Sequence, residues 1–213
     1  MSDYAFDFHG LRLVARAGGA LWWPQGGWLI VADLHLGKSE RMARRGGALL
    51  PPYETLATLE RLGQDIAALA PQRVISLGDG FDDLAAAAAL GAEPVRMLEA
   101  MARGRDWVWI GGNHDPGAPP AMPGRMLAEL RLGAVTLRHQ AGSGPDISGH
   151  YHPVLSLAGQ RRRAFLLGRD HLILPAYGTY TGGLSRDDPA LRALVPQGLG
   201  IACGRRALVV PLR

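Results

Sequence analysis

An α/β fold is what this chain of 213 residues predicts, and three features predict it. Short β-like runs alternate with helical stretches through the first half. The second half is rich in β-like runs and turn residues and poor in helices. Polar residues of one restricted kind, Asp, Asn and His, follow the ends of the runs.

Taken in order, Leu11–Val14 and Trp28–Ala32 are apolar runs bounded by turn residues, hence strands. After Pro51-Pro52, the segment Tyr53–Ala70 spaces Leu56, Leu59, Leu62, Ile66 and Leu69 at three- and four-residue intervals, the period of an amphipathic helix. Val74–Leu77 is a third strand. A second helical region runs from about 83 to 103, with Gly91 and Pro94 as natural break points. Trp107–Ile110 completes a β-α-β-α-β series, which implies parallel strands joined by helical crossovers. Ala134–Arg138, Ala164–Leu167, His171–Leu174 and Ala207–Val210 follow as strands of an antiparallel half. Gly142–Pro145 reads as an exposed loop, too short to separate domains. No repeat or long linker interrupts the chain, so one domain over 1–213 is expected.

Composition narrows the class. Apolar residues make up 47% and charged residues 20%, the balance of a soluble globular protein. The single cysteine, Cys203, excludes an internal disulfide and a thiolate zinc site. The first ten residues carry no secretory pattern, and no apolar run approaches the roughly 18 residues of a membrane span, so a cytoplasmic protein is expected. The formal charge is +4 and Lys38 is the only lysine. Arginine with abundant Ala and Gly is what GC-rich coding would produce. A basic chain also suits a phosphate-rich partner.

The polar residues at strand ends form a set. Asp33 and His35 follow the Trp28–Ala32 strand. Gly78-Asp79, with Asp82 close behind, follows Val74–Leu77. Gly112-Asn113-His114-Asp115 follows Trp107–Ile110. His139 follows Ala134–Arg138, and Gly149-His150-Tyr151-His152 follows Ile147. In open α/β sheets the carboxyl ends of strands build the sites. Carboxylate, amide and imidazole donors without thiolate suit Mn²⁺, Fe²⁺, Zn²⁺ or Mg²⁺. The donors are too many for one ion and about enough for two. Two ions about 3.5–4 Å apart need a bridging carboxylate, for which Asp79 is the natural choice. In extended backbone, Asp33 and His35 would share one face, and so would His150 and His152. An isolated Asp-x-His or Gly-Asp is most often a surface turn. The ordered set of five is not.

The series Asp-x-His, Gly-Asp-x-x-Asp, Gly-Asn-His-Asp, a lone His and Gly-His-x-His resembles the calcineurin-like metallophosphoesterase superfamily. The flanking stretches DLHLGKSERMARRGGALLPPYET, DWVWIGGNHDP, ISGHYHP, RRRAFLL and LILPAYGTYTGG are most similar to the bacterial ligase-associated DNA damage response endonucleases, the PdeM group. One departure stands out: this chain has Gly80-Phe81-Asp82 where that group often carries Ser-Phe-His. The resemblance implies a four-layer αββα sandwich, two facing mixed β-sheets flanked by helices. It assigns one metal to Asp33, His35, Asp79 and His152, and the other to Asp79, Asn113, His139 and His150. His114 would ligate neither ion and would act on the substrate, with Asp115 holding it in position. Two divalent ions, Mn²⁺ above all, would polarise the phosphoryl oxygens and activate a water for in-line attack. His114 would stabilise the developing charge or protonate the leaving oxygen.

The expected function is therefore a DNA endonuclease of repair, acting on single-stranded or unpaired DNA, with DNA ligase and helicase as associates by resemblance. A small-substrate phosphodiesterase or phosphatase of the same superfamily is the alternative, and a non-catalytic scaffold is a third reading. Arg41, Arg44 and Arg45, and Arg162 within Arg161–Arg163, are candidate phosphate contacts. Tyr151, Tyr177 and Tyr180 are candidate base-stacking residues. His9, His171 and the five tryptophans read as structural.

Overall fold

The computed structural model describes residues 2–47, 49–115, 117 and 122–213; Ala48 and Pro116, which fall within stretches quoted above, lie outside them. Among the described residues, seven strands form a first sheet in chain order: β1 (Tyr4–Phe8), β2 (Leu11–Ala15), β3 (Leu21–Trp23), β4 (Trp28–Val31), β5 (Arg73–Leu77), β6 (Asp106–Ile110) and β7 (Arg125–Leu127). The first four make an antiparallel meander. From β4 onward neighbours are parallel, with Ile30 beside Ile75 and Ile75 beside Val108. The crossovers carry helices α1 (Lys38–Arg44), α2 (Glu54–Leu69), α3 (Leu84–Ala88) and α4 (Ala92–Ala102).

Chain alternation sorts the apolar residues of this sheet onto two faces. Leu29, Val31, Val74, Trp107 and Trp109 pack outward with Leu59, Leu62 and Ile66 of α2 and Leu98 of α4. Ile30, Ile75, Val108 and Ile110 point the other way, where they meet Leu137, Ile147, Phe165 and Leu172 of a second sheet. That sheet contains β8 (Leu130–Leu132), β9 (Val135–Leu137), β10 (Asp146–Ser148), β12 (Gln160–Leu167), β13 (His171–Ile173), β14 (Gly198–Ala202) and β15 (Leu208–Leu212), with β11 (Val154–Leu157) paired to β12. Its far face buries Ala164, Leu166 and Ile173 against Leu191 of α5 (Pro189–Leu194) and Val195. The layers therefore run helix, sheet, sheet, helix, the four-layer sandwich that the resemblance implied.

Two details differ from the reading of the residue pattern alone. The second sheet is mixed, as the resemblance implied, and not wholly antiparallel, because β10 runs parallel to both β9 and β13. Its other pairings are antiparallel. The parallel pair has a consequence for the site: residues following β9 and β10 leave the sheet at the same end. The helical region near 83–103 breaks at Gly91, the residue before α4, whereas Pro94 sits inside the first turn, where its missing N–H costs nothing. Asp83 starts α3 by accepting the Ala86 N–H at 2.7 Å. No helix among the described residues is long and apolar enough to cross a membrane.

Candidate metal centre

Asp33, Asp79, Asn113, His139, His150 and their neighbours leave β4, β5, β6, β9 and β10 at one edge of the sandwich, and the loops there are laced together by main chain. His35 N–H donates to Asp79 O at 2.9 Å, Leu36 N–H to Gly80 O at 3.0 Å, and Asp82 N–H back to Leu36 O at 3.0 Å. Gly149 N–H donates to His139 O, and Gly178 N–H to Asp33 O. Five of the polar residues sit in the left-handed region: Asp33 (φ 53°), His35 (45°), Asp79 (44°), His150 (70°) and His152 (47°). Asp and His are among the side chains that tolerate it, at a cost on the order of 1 kcal/mol each. The pairs Asp33/His35 and His150/His152 thus reach one crevice through successive kinks, not through the extended backbone their spacing suggested. Leu34 still turns away into the core, as expected.

The donor atoms form two clusters. In the first, His152 Nε2 lies 3.3 Å from His35 Nε2 and 3.5 Å from Asp33 Oδ1. In the second, His139 Nε2 lies 2.8 Å from Asn113 Oδ1, and His150 Nδ1 lies 3.0 Å from the same oxygen and 3.1 Å from His139 Nε2. Asp79 stands between them, its Oδ2 4.0 Å from His35 Nε2 and 3.5 Å from His139 Nε2. Its Oδ1 is held by the His114 N–H at 2.9 Å. Asp33, His35 and His152, and separately Asp79, His139 and His150, could each hold a metal ion, and His35, Asp79 and His114 form a third such group.

The donor chemistry fits such ions. Ligands about 2.0–2.2 Å from a shared cation lie roughly 3–3.5 Å from one another, which is the spacing seen. Facing nitrogen lone pairs at 3.1 and 3.3 Å repel unless a proton or a cation lies between them. Asp33 and Asp79 are buried without an arginine or lysine partner among the described residues, and a buried carboxylate needs a counter-charge. The outer hydrogen bonds also point the free nitrogens inward. His35 Nδ1–H donates to Asp82 Oδ1 at 2.8 Å, and His139 Nδ1–H donates to the Leu77 carbonyl at 3.1 Å. Glycine is required where the backbone presses against ligand side chains, as at two positions. A Cβ on Gly112 would stand 2.1 Å from Asp79 Oδ1, and one on Gly78, already at φ 72°, would stand 2.2 Å from His139 Nδ1.

His114 lies beside both clusters, its ring 5.1 Å from that of His35 and perpendicular to it. Its Nδ1–H donates to the Asp82 carbonyl at 2.8 Å, which leaves Nε2 unclaimed. Asp115 does not touch this ring. Its carboxylate is buried and accepts the N–H groups of Phe81 (3.0 Å) and Gly112 (3.1 Å), so it shapes the loops, and the Asp82 main chain positions His114. Burial, with the nearby Asp79 charge, raises the pKa of Asp115 to about 6. Asp82 is thus the residue whose importance was least visible in sequence. Its side chain orients His35 and its carbonyl orients His114. The Gly-Asp-x-x-Asp spacing was the available signal.

The candidate phosphate contacts divide. Arg41 donates to Asp82 Oδ2 at 2.9 Å and lies 3.4 Å from Asp83, Arg44 pairs with Glu40 and Asp83, and Arg45 lies 3.6 Å from Asp83. Each thus has a carboxylate within 4.0 Å, while the Arg45 side chain stays 60% exposed. Among the described residues, Arg162 has only the neutral Gln160 side chain as partner, at 3.1 Å. Tyr151 packs edge-on to the His150 ring at 4.9 Å, next to the centre. Tyr177 is fully buried, with its hydroxyl donating to Asp65 at 2.9 Å, so it is no rim residue. Tyr180 is 43% exposed. His171 pairs with Asp146, and His9 with the Arg169 carbonyl, away from the site.

No protein-family model and no curated protein matches the chain. Among solved structures, the nuclease MPE of Pseudomonas putida is similar at 29% identity with a TM-score of 0.77, over 99% of this chain and 100% of that one. The E. coli phosphoesterase Yfce is also matched, at 17% identity and a TM-score of 0.41, over 74% of this chain and 83% of that one.

Proposed function

We infer that the chain is a metal-dependent phosphodiesterase that cuts DNA. The observation that supports this best is the convergence of Asp33, His35 and His152 with Asp79, His139 and His150 on one crevice, Asp79 standing between the two groups; that His114 ligates neither ion rests on the motif resemblance. The full-length similarity to a nuclease supports nucleic acid as the substrate. Two divalent ions in these clusters would polarise the phosphoryl oxygens and activate the attacking water.

The chain's own residues then do the rest. Asp33, His35, Asp79 and His152 would hold one ion, and Asp79, Asn113, His139 and His150 the other. Asp82 Oδ1 keeps His35 in the tautomer whose Nε2 is free, and the Leu77 carbonyl does the same for His139. With Nδ1–H fixed on the Asp82 carbonyl, His114 presents Nε2 to the substrate, where a proton on it can pass to the leaving oxygen. Borderline nitrogen donors beside carboxylates make Mn²⁺ the first ion to try. Action on single-stranded or unpaired DNA, a part in DNA repair in the cytoplasm, and association with a DNA ligase and helicase complete the reading. These rest on the motif resemblance.

The test compares nicking of circular double-stranded and single-stranded DNA with turnover of bis(p-nitrophenyl) phosphate, with Mn²⁺ and after chelation. Metal-dependent breaks in closed circles are expected. Turnover of the small diester with intact circles would point to a small-substrate phosphodiesterase instead.

A further inference from the structure

A basic cavity of about 910 Å³ is joined to the metal centre through the main chain of Tyr177 and Gly178. Seven arginines face it against two carboxylates, Asp3 and Asp65, a net of +5 where the whole chain carries +4. The remainder of the protein is therefore slightly acidic, and the positive charge is concentrated here. Of the seven, only Arg16 has carboxylate partners among the described residues, Asp3 at 3.1 Å and Asp65 at 2.9 Å. Arg41, Arg44 and Arg45, by contrast, each lie within 4.0 Å of a carboxylate.

The arginines of the cavity come from four segments. On its inner wall, Arg163 donates to the carbonyls of Ala176 (3.0 Å) and Tyr177 (3.1 Å), and Arg61 donates to the same Tyr177 carbonyl while lying 4.4 Å over the Tyr177 ring. Two like charges thus crowd one oxygen, and Arg61 Nε is buried without a partner. Burial and the Arg61 charge draw the Arg163 pKa down. A bound anion would relieve that repulsion. At the rim, Arg161 and Arg162 come from β12, and Arg205 and Arg206 from the exposed turn after β14.

Main-chain hydrogen bonds and contacts link the cavity to the centre through Tyr177, Gly178 and Gly183. Tyr177 N–H donates to Ala32 O at 2.8 Å, and Gly178 N–H to Asp33 O at 3.0 Å. Arg161 is fixed on the Gly183 carbonyl at 2.8 Å. Gly183 in turn lies so close to His152 that a Cβ would stand 2.0 Å from its carbonyl oxygen.

We propose that this cavity is a phosphate groove that holds the backbone of the nucleic-acid strand beyond the bond being cut. The proposal rests on the nuclease reading above. Guanidiniums spread over four segments suit successive phosphates better than a single one. The lining presents no exposed aromatic ring on which a base could stack, so contacts here are to backbone and independent of sequence.

The test uses metal-loaded enzyme and the double variant Arg205→Gln/Arg206→Gln. Both side chains are exposed, and neither lies in the metal centre. The kcat/KM for cleaving a single-stranded oligonucleotide is measured as a function of salt, beside turnover of bis(p-nitrophenyl) phosphate. Single-strand binding loses about 0.7 in log–log salt slope for each phosphate contact removed. The variant should therefore lose about 1.4 in slope and on the order of tenfold in kcat/KM on the oligonucleotide. Turnover of the small diester stays within about twofold, and Arg205→Lys/Arg206→Lys, which keeps the charge, restores most of the loss. A variant that matches wild type on the oligonucleotide in rate and slope overturns the groove, as does one that loses both substrates equally. Wild-type enzyme that hydrolyses the small diester but leaves the oligonucleotide whole overturns the nuclease reading itself, and the groove with it.

Discussion

Replacing Asp82 with asparagine separates metal binding from substrate protonation. The carboxylate is fully buried and serves several donors at once. Oδ1 accepts from His35 Nδ1 at 2.8 Å and lies 3.6 Å from Lys38 Nζ, while Oδ2 accepts from Arg41 at 2.9 Å. Burial pushes its pKa up, but the His35 bond, the Lys38 charge and the Arg41 bond outweigh this and hold it well below the usual carboxylate range. It is therefore charged at neutral pH. Asparagine keeps the shape and loses the charge. Whichever way the amide turns, its NH₂ meets a donor, either Arg41 or His35. In the second case His35 must move its proton to Nε2 and close the nitrogen meant for the metal. Losing an outer partner of this kind costs about tenfold to a hundredfold in metal affinity, or about 1.4–2.8 kcal/mol. Titrating metal-stripped Asp82→Asn with Mn²⁺ by calorimetry should show the step at the Asp33/His35/His152 cluster weakened by that factor. The step at the Asn113/His139/His150 cluster should stay within about threefold of wild type. With metal saturating, kcat should stay within about fivefold, because His114 hangs on the Asp82 main-chain carbonyl, which the substitution leaves in place. Two unchanged steps, or two equally weakened ones, would refute the coupling, and so would a collapse of kcat with both ions bound.

Other substitutions probe other parts. His114→Ala should keep both metal-binding steps and lose about 10²- to 10⁴-fold in turnover on diesters with poor leaving groups, with a smaller loss on nitrophenyl esters; equal losses on both would remove its role as proton donor. Gly112→Ala drives a methyl group to within 2.1 Å of Asp79 Oδ1 and should abolish high-affinity binding of both ions, read as metal per chain after dialysis. Tyr177→Phe takes a donor from the buried Asp65 carboxylate at a cost of about 1.5–3 kcal/mol. It should lower Tm by on the order of 5 °C and leave kcat unchanged, because Tyr177 meets the centre only through its main chain. A fall in kcat with an unchanged Tm would contradict that assignment.

Much of the fold was legible because its central elements are strongly patterned. The strands β4, β5 and β6 and helix α2 are apolar runs of sufficient length with clear periods, and their parallel order follows from the helical crossovers. Of the strands that went unread, β3, β7, β8 and β10 are three residues long, too short for alternation to register, while β1, β11 and β14 run to four or five residues. The parallel course of β10 is also invisible locally, since it depends on how the loop between β9 and β10 returns the chain. The site residues were legible as a set because Asp, Asn and His at successive strand ends have no packing purpose. Their backbone was not: positive φ at Asp33, His35, Asp79, His150 and His152 is imposed by the lacing of neighbouring loops. Charge was legible in amount but not in placement. Arg41, Arg44 and Arg45 look free in sequence and are paired in space with Asp82, Asp83 and Glu40, all close to them in the fold. Arg205 and Arg206, which sequence reading passed over, lie beside Arg161 and Arg162.

The most direct measurement is anomalous diffraction from crystals grown with Mn²⁺. Two peaks about 3.5–4 Å apart, both bound to the Asp79 carboxylate, one beside Asp33, His35 and His152 and the other beside Asn113, His139 and His150, are predicted. A single peak, or ions that do not share Asp79, would contradict a two-cation hydrolytic centre.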